Sequence, residues 1–362
     1  MTKKIFFSTG EKSAENHVLA LKSSLGNDYE LEALAGDNLK QHGFKTLRTL
    51  EETSVLGFTE VIRQYPRLRR MLKESCSYIA DTHPDLLVLV DYPGFNIPLG
   101  KFAKKIGIKT LYYIAPKTWA WGEWRAKKLH RSTDKMAVIF PFEEKYFKSF
   151  GIDAVYVGNP NAEAMNITVG SAVPGTLGIL PGSRKQEIGR LLPQCIDAAK
   201  SLLEKGYFSR VIVSQSDNLS SEIIEKYLPD NRFSIVNGSS KVYSDASFLF
   251  VKSGTATLEA ALSMKPFISM YKVSPISGFI IKSVVKIPNV TMINIMLDKT
   301  VVPELMQENV TPAKLISETE NLLQNPHKIE SMLNEFRNLK ENIEKYRPSE
   351  KVAEIIKEMT NG

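Results

Sequence analysis

The sequence predicts an α/β protein: two Rossmann-like domains facing each other, each built on a parallel sheet, followed by a helical C-terminal stretch. Three observations carry this expectation. At 362 residues the chain exceeds the size at which one hydrophobic core keeps growing. Short β-branched and aromatic runs alternate with stretches of helical period, as in parallel α/β units. The alternation breaks at GNPNAEAMNITVGSAVPG (158–175), where Gly, Pro, Asn and Ser accumulate as in a linker. The expected divisions are 1–165, 172–335, and C-terminal helices 336–362 packing back across the domains.

Taken in order, the strands of the first half are KKIFFST (3–9), ELEALAG (30–36), DLLVLVD (85–91), KTLYYIA (109–115), KMAVIF (135–140) and AVYVG (154–158). DLLVLVD is continuously apolar rather than alternating, as a central parallel strand covered on both faces must be. After the linker come GTLGILPG (175–182), RVIVSQ (210–215), FSIVN (233–237), SFLFVKSG (247–254) and PFISMYK (266–272). From about 311 the text is helical, and KVAEIIKEM (351–359) reads as an amphipathic closing helix.

Composition excludes several classes. The opening MTKKIFFSTG has too short an apolar stretch for a secretory leader, and no window is apolar enough to cross a membrane. The two cysteines, Cys76 and Cys195, lie far apart without metal-ligand spacing, which fits a reducing cytoplasm. A net charge of +7 favours anionic partners. The basic residues are scattered among 40 acids rather than forming a stripe, so nucleic acid is not expected.

Ligands of open parallel sheets sit outside the carboxyl ends of the strands. Asp91 ends DLLVLVD there, and Pro93-Gly94 turn the chain behind it, so its carboxylate can serve as a general base at a crevice rim. It can equally cap a helix beginning near Asn96. In GEKSAEN, Ser13 reads as an N-cap, and Glu11 and Glu15 suit a helix start whatever else they do. In the second half, LPGSRKQEI brings Gly182, Ser183 and Arg184 to a helix entry, where free N–H groups, helix dipole and guanidinium converge on an anion. SGTATLE repeats this with Ser253, Gly254, Thr255 and Thr257, and Glu259 can bind two ribose hydroxyls. Either turn alone fits an ordinary capped helix; the pair favours a nucleotide diphosphate.

In their order, GEKSAEN, SVLGFTEV (54–61), DYPGFN, APKTWAWGEWR (115–125), PFE (141–143), LPGSRKQEI, SGTATLE and VVPELMQ (301–307) resemble the successive motifs of the lipid-A-disaccharide synthases, from residue 5 to about 310. That family consists of inverting glycosyltransferases of the GT-B fold. The resemblance implies transfer from UDP-2,3-diacylglucosamine to 2,3-diacylglucosamine 1-phosphate, with Asp91 as essential base assisted by Glu11, and Ser13 in the same motif. It implies a UDP site of Gly182, Ser183, Arg184, Ser253, Gly254, Thr255, Thr257, Glu259 and Asn294, with no metal and no cofactor. Ala14 and Glu15 stand where the family has Gly and Asp, and Asn159 where it has His, which bears on substrate preference.

Acylated substrates imply a cytoplasmic enzyme held peripherally at an anionic inner-membrane surface. RQYPRLRRMLK (63–73), with Arg67, Arg69 and Arg70, and SGFIIKSVVKIP (277–288), with Phe279 and Ile280, are the candidate contacts. A half-buried helix with a solvated charged face fits them as well. Trp119 and Trp121 are candidates for an acyl pocket, and the reading leaves room for a homodimer. The rival classes are another UDP-sugar transferase or epimerase, and a non-catalytic basic binder of membrane surfaces.

Overall fold

The structure, a computed structural model, describes residues 2–10, 12–47, 58–119, 123–163, 172–216, 219–274 and 289–361. The chain divides into two compact units. One comprises residues 1–160 and 346–362, the other residues 161–345.

The first unit is a parallel sheet of β1 (Lys3–Ser8), β2 (Tyr29–Leu34), β3 (Lys45–Thr46), β4 (Leu86–Val90), β5 (Lys109–Tyr113), β6 (Lys135–Val138) and β7 (Asp153–Tyr156). Their spatial order is β3-β2-β1-β4-β5-β6-β7. All five residues of β4 are fully buried, consistent with a central strand covered on both faces. β1 lies beside it in parallel register, Ile5 against Leu86 and Ser8 against Leu89. Helix Pro348–Asn361 belongs to this unit although the whole of the other unit, residues 161–345, intervenes. It packs on helix Lys12–Leu25 and also meets β4 and β5, and its Val352, Ala353, Ile355 and Ile356 are all buried.

The second unit holds β8 (Thr176–Leu180), β9 (Arg210–Gln215), β10 (Phe233–Asn237), β11 (Phe248–Lys252), β12 (Phe267–Tyr271) and β13 (Glu304–Met306), again all parallel, in the order β10-β9-β8-β11-β12-β13. Both sheets therefore reverse their winding once, between β1 and β4 in the first and between β8 and β11 in the second. Such a switch point parts the loops at the carboxyl ends and opens room for a ligand.

Two sequence expectations shift at helix starts. The helix after β4 begins at Pro93, not near Asn96, with Tyr92 at its N-cap and no side-chain cap. The helix after β1 runs from Lys12, so Ser13 lies in its first turn rather than ahead of it.

Candidate active site

Asp91 follows the last residue of β4, and its side chain is exposed at the carboxyl edge of the sheet. Its backbone adopts φ 49°, and Tyr92 continues left-handed at φ 44°. Non-glycine residues rarely occupy this region, and two in succession persist only where the surroundings hold them. Here three hydrogen bonds do so. The Asp91 amide donates to the Tyr113 carbonyl (3.0 Å), and its carbonyl accepts from the buried Tyr112 hydroxyl (2.7 Å) and from Asn96 Nδ2 (2.8 Å).

Asn96 is the hub of this corner. Fully buried one turn into its helix, it accepts from the Ser8 hydroxyl at 2.6 Å and donates to the Ser8, Val90 and Asp91 carbonyls. It thus ties the end of β1 to the end of β4. The Gly10 backbone approaches the Tyr92 ring so closely that a Cβ there would overlap it. Gly10 and Tyr92, one from each motif, consequently adjoin. Glu15 is buried and accepts from the Gly36 N–H, so it secures the turn after β2.

A second cluster forms at the loop after β5. Trp119 donates its indole N–H to Glu143 Oε1 (2.9 Å) and packs edge-on against Phe142 at 4.9 Å. The other oxygen of Glu143 accepts from the Ile139 and Phe140 amides. Burial pushes this carboxyl up to about 7, against the opposing pull of its three N–H partners and Lys117. Trp124, by contrast, is 57% exposed, with Lys128 Nζ 4.4 Å from its ring centroid.

In the second unit the turns after β8 and β11 share a pocket of about 210 Å³. It brings together Gly182, Ser183, Gly254, Thr255 and Glu259 from the two motifs. Gly182 has φ 109°, and a Cβ there would overlap the Glu187 carboxylate, so only glycine fits. Helices Lys185–Glu204 and Thr255–Leu262 start here without side-chain caps. Glu259 meets the Ser239 hydroxyl at 3.4 Å. Burial, and then the Glu259 charge, push the neighbouring Tyr243 phenol well above the usual tyrosine range.

A family model, lipid-A-disaccharide synthetase, matches residues 5–356. The chain is 36% identical over 351 residues to the lipid-A-disaccharide synthase of Sulfurihydrogenibium sp., covering 88% of each chain. It is 30% identical over 370 residues to that of Coxiella burnetii, covering 98% of each.

The chain belongs to the lipid-A-disaccharide synthetase family.

Its activity is accordingly that of a glycosyltransferase of lipid A biosynthesis, acting on lipid A precursors. The GT-B architecture has distant structural counterparts. The calicheamicin glycosyltransferase CalG4 aligns with a TM-score of 0.66 at 12% identity, over 100% of this chain and 99% of that one. MurG of Acinetobacter baumannii aligns with a TM-score of 0.59 at 16% identity, over 98% and 99%. A Neisseria meningitidis UDP-GlcNAc 2-epimerase bound to UDP-GlcNAc gives 0.58 at 13%, over 95% and 100%.

Not every expected residue of this family member reaches the pocket. The Ser253 hydroxyl donates to the Val290 carbonyl (3.2 Å), and that of Thr257 to the Gly254 carbonyl (2.7 Å). Arg184 is the N-cap residue of its helix; its guanidinium is largely exposed and lies 3.7 Å from Glu187 Oε1. Asn294 is fully buried outside the pocket. It donates to the Val302 carbonyl and Glu304, and accepts from the Val301 and Val302 amides, so its amide is saturated. Asn294 and Glu304 together brace the segment that leads into β13.

Glu11, Trp121, Phe279 and Ile280 lie outside the described residues, and the Ser13 side chain is not described either. Arg67, Arg69 and Arg70 are exposed on helix Phe58–Thr82, whereas Leu68, Met71 and Leu72 pack into the core. Those three apolar side chains are therefore occupied within the protein. Among the described residues no helix is long and apolar enough to cross a membrane, and no cluster of His, Cys, Asp or Glu is placed to hold a metal ion.

Asn96, Glu143, Glu187 and Lys252 had no assigned role in the sequence reading. The first three sit inside the recognised motifs, and each is a polar residue one turn or less into a helix behind a strand end. That placement is the readable trace of a side chain folding back on the turn.

Proposed function

We propose that this protein joins UDP-2,3-diacylglucosamine to 2,3-diacylglucosamine 1-phosphate by a single inverting displacement. Asp91 takes the proton of the acceptor's 6-hydroxyl, and the resulting oxygen attacks the anomeric carbon. The bond from that carbon to the β-phosphate oxygen breaks, and UDP departs with the electron pair. Glu11 and Ser13 assist on the acceptor side. The turns after β8 and β11 hold UDP, with N–H groups and Arg184 on the diphosphate and Glu259 on the ribose.

The observation that carries this reading is the Asp91 corner: an exposed carboxylate on a left-handed backbone, fixed by Tyr112, Tyr113 and Asn96. Such rigidity suits a base that must meet one hydroxyl in one geometry. Both substrates are acylated, so the reaction takes place at a membrane surface, from the cytoplasmic side. Exposed Arg67, Arg69 and Arg70 supply electrostatic attraction to anionic headgroups, and the Trp119 and Trp121 loop serves the acceptor's acyl chains.

The test is Asp91→Asn assayed with both acylated substrates. We expect disaccharide formation to fall by about 10²–10⁴-fold while UDP affinity is retained. Turnover within a few-fold of the unaltered protein would remove Asp91 from the role of base.

A further inference from the structure

We propose that Lys252 is a diphosphate ligand of this site and that Glu187 is an internal anion which occupies Lys252 until the nucleotide displaces it. The inference rests on the nucleotide reading above and adds two residues to it. Lys252 is the last residue of β11, and its ammonium lies 3.2 Å from Glu187 Oε1. The same nitrogen would stand 3.5 Å from a Cβ placed on Gly254, so it hangs over the entry to helix Thr255–Leu262. Glu187 reaches back from the first turn of helix Lys185–Glu204, where its Oε2 accepts from the Ser183 amide at 3.1 Å. Both residues line the pocket shared by the two motifs.

The electrostatics give this arrangement a direction. Two helix N-termini, each equivalent to roughly half a positive charge, converge on the pocket. Lys252 adds a full charge, and the Arg184 guanidinium lies 3.7 Å from the same Glu187 oxygen. Against them stand two carboxylates, that of Glu259, assigned above to the ribose, and that of Glu187. Glu187 sits at the Ser183 N–H, a position that suits a phosphate oxygen, and it pairs with the cation such an oxygen would seek. A diphosphate carries more charge and more acceptor oxygens, so it exchanges with the carboxylate for the same partners. Lys252 then faces the bridging and terminal oxygens that gain charge as UDP leaves.

Calorimetric titration of the full chain with UDP and with uridine separates the outcomes. Lys252→Met should weaken UDP binding at least tenfold and leave uridine, which lacks phosphates, within about twofold. Glu187→Gln keeps an oxygen for the Ser183 amide but removes the competing charge, so it should tighten UDP several-fold. In the double variant that gain should shrink, because part of the Glu187 effect runs through Lys252 and the rest through the Ser183 amide and Arg184. Unchanged UDP affinity in Lys252→Met, or equal losses of UDP and uridine, overturns the ligand role. A loss of UDP affinity in Glu187→Gln overturns the exchange. If the unaltered protein fails to bind UDP at all, the nucleotide reading itself falls, which is a different result from either.

Discussion

At the scale of single residues, two titratable groups of the first unit, the buried Glu143 and the half-buried His17, pull stability in opposite directions as pH changes. Glu143 is raised to about 7 by burial, so the folded state holds its proton more tightly than the unfolded chain does. Its stabilising contribution is complete below about 4.5 and is lost as pH rises through 7. Burial lowers His17 from 6.5 to about 4, so its contribution is complete above 6.5 and is lost as pH falls through 4. Between about 4.5 and 6.5 the two slopes oppose each other, and the unaltered protein masks both. Urea unfolding of Glu143→Gln and His17→Gln at pH 5 and pH 8 separates them. Relative to the unaltered protein, Glu143→Gln should gain stability between pH 5 and 8, by at most roughly 3 kcal/mol. His17→Gln should lose less on acidification. Glutamine in place of Glu143 also disturbs the Trp119 contact at every pH, so the difference between the two pH values carries the information. Stability curves parallel to that of the unaltered protein would exclude the titration.

At the scale of elements, close approach of helix Pro93–Lys105 to its neighbours holds the Asp91 corner in place. Gly100 is buried within that helix, and a Cβ there would overlap the Ser132 carbonyl and come within 2.7 Å of Leu89 Cδ1. Gly100→Ala should therefore destabilise the protein by about 1–3 kcal/mol and lower turnover through Asn96, which rides on the same helix. Gly94, near the start of this helix, has nothing within 4 Å of its Cβ position. Gly94→Ala should be neutral or stabilise by up to about 1 kcal/mol. Equal costs in the two variants, measured by denaturant midpoints, would show that packing at Gly100 is not limiting. The long strands were legible in the sequence because continuous apolar runs such as Leu86–Val90 leave little choice of environment. The pairs β2–β3 and β12–β13 were not, because two or three residues, as in Lys45–Thr46 and Glu304–Met306, carry no periodicity. The turns after β8 and β11 were readable from their glycines and their place after strands. The direction of their hydroxyls was not: Ser253 and Thr257 satisfy nearby carbonyls, and composition cannot distinguish that from facing a ligand. Lys252 escaped for a related reason, since a lysine at a strand end is ordinarily a solvated charge.

At the scale of the whole molecule, the first unit is assembled from two separate stretches of chain, residues 1–160 and 346–362. Lys3 bonds the Thr360 carbonyl, Lys109 Nζ that of Met359 at 2.9 Å, and Lys357 Nζ that of Ser24 at 3.1 Å, around the buried Val352, Ile355 and Ile356. Deleting residues 348–362 should cost the first unit on the order of 5 kcal/mol, from three large apolar side chains at about 1.5–3 kcal/mol each. All three tryptophans, at 119, 121 and 124, belong to this unit, so intrinsic fluorescence reports its unfolding. A midpoint unchanged by the deletion would show that the helix contributes no stability. The same arrangement dictates a schedule for biogenesis. A nascent polypeptide emerging from the ribosome can wind the Asp91 corner early, yet helix Lys12–Leu25 lacks its cover until translation has passed residue 361. Stalled or prematurely terminated synthesis thus leaves an apolar seam bare, a flag that chaperones and proteases can read before any unfinished catalyst accumulates.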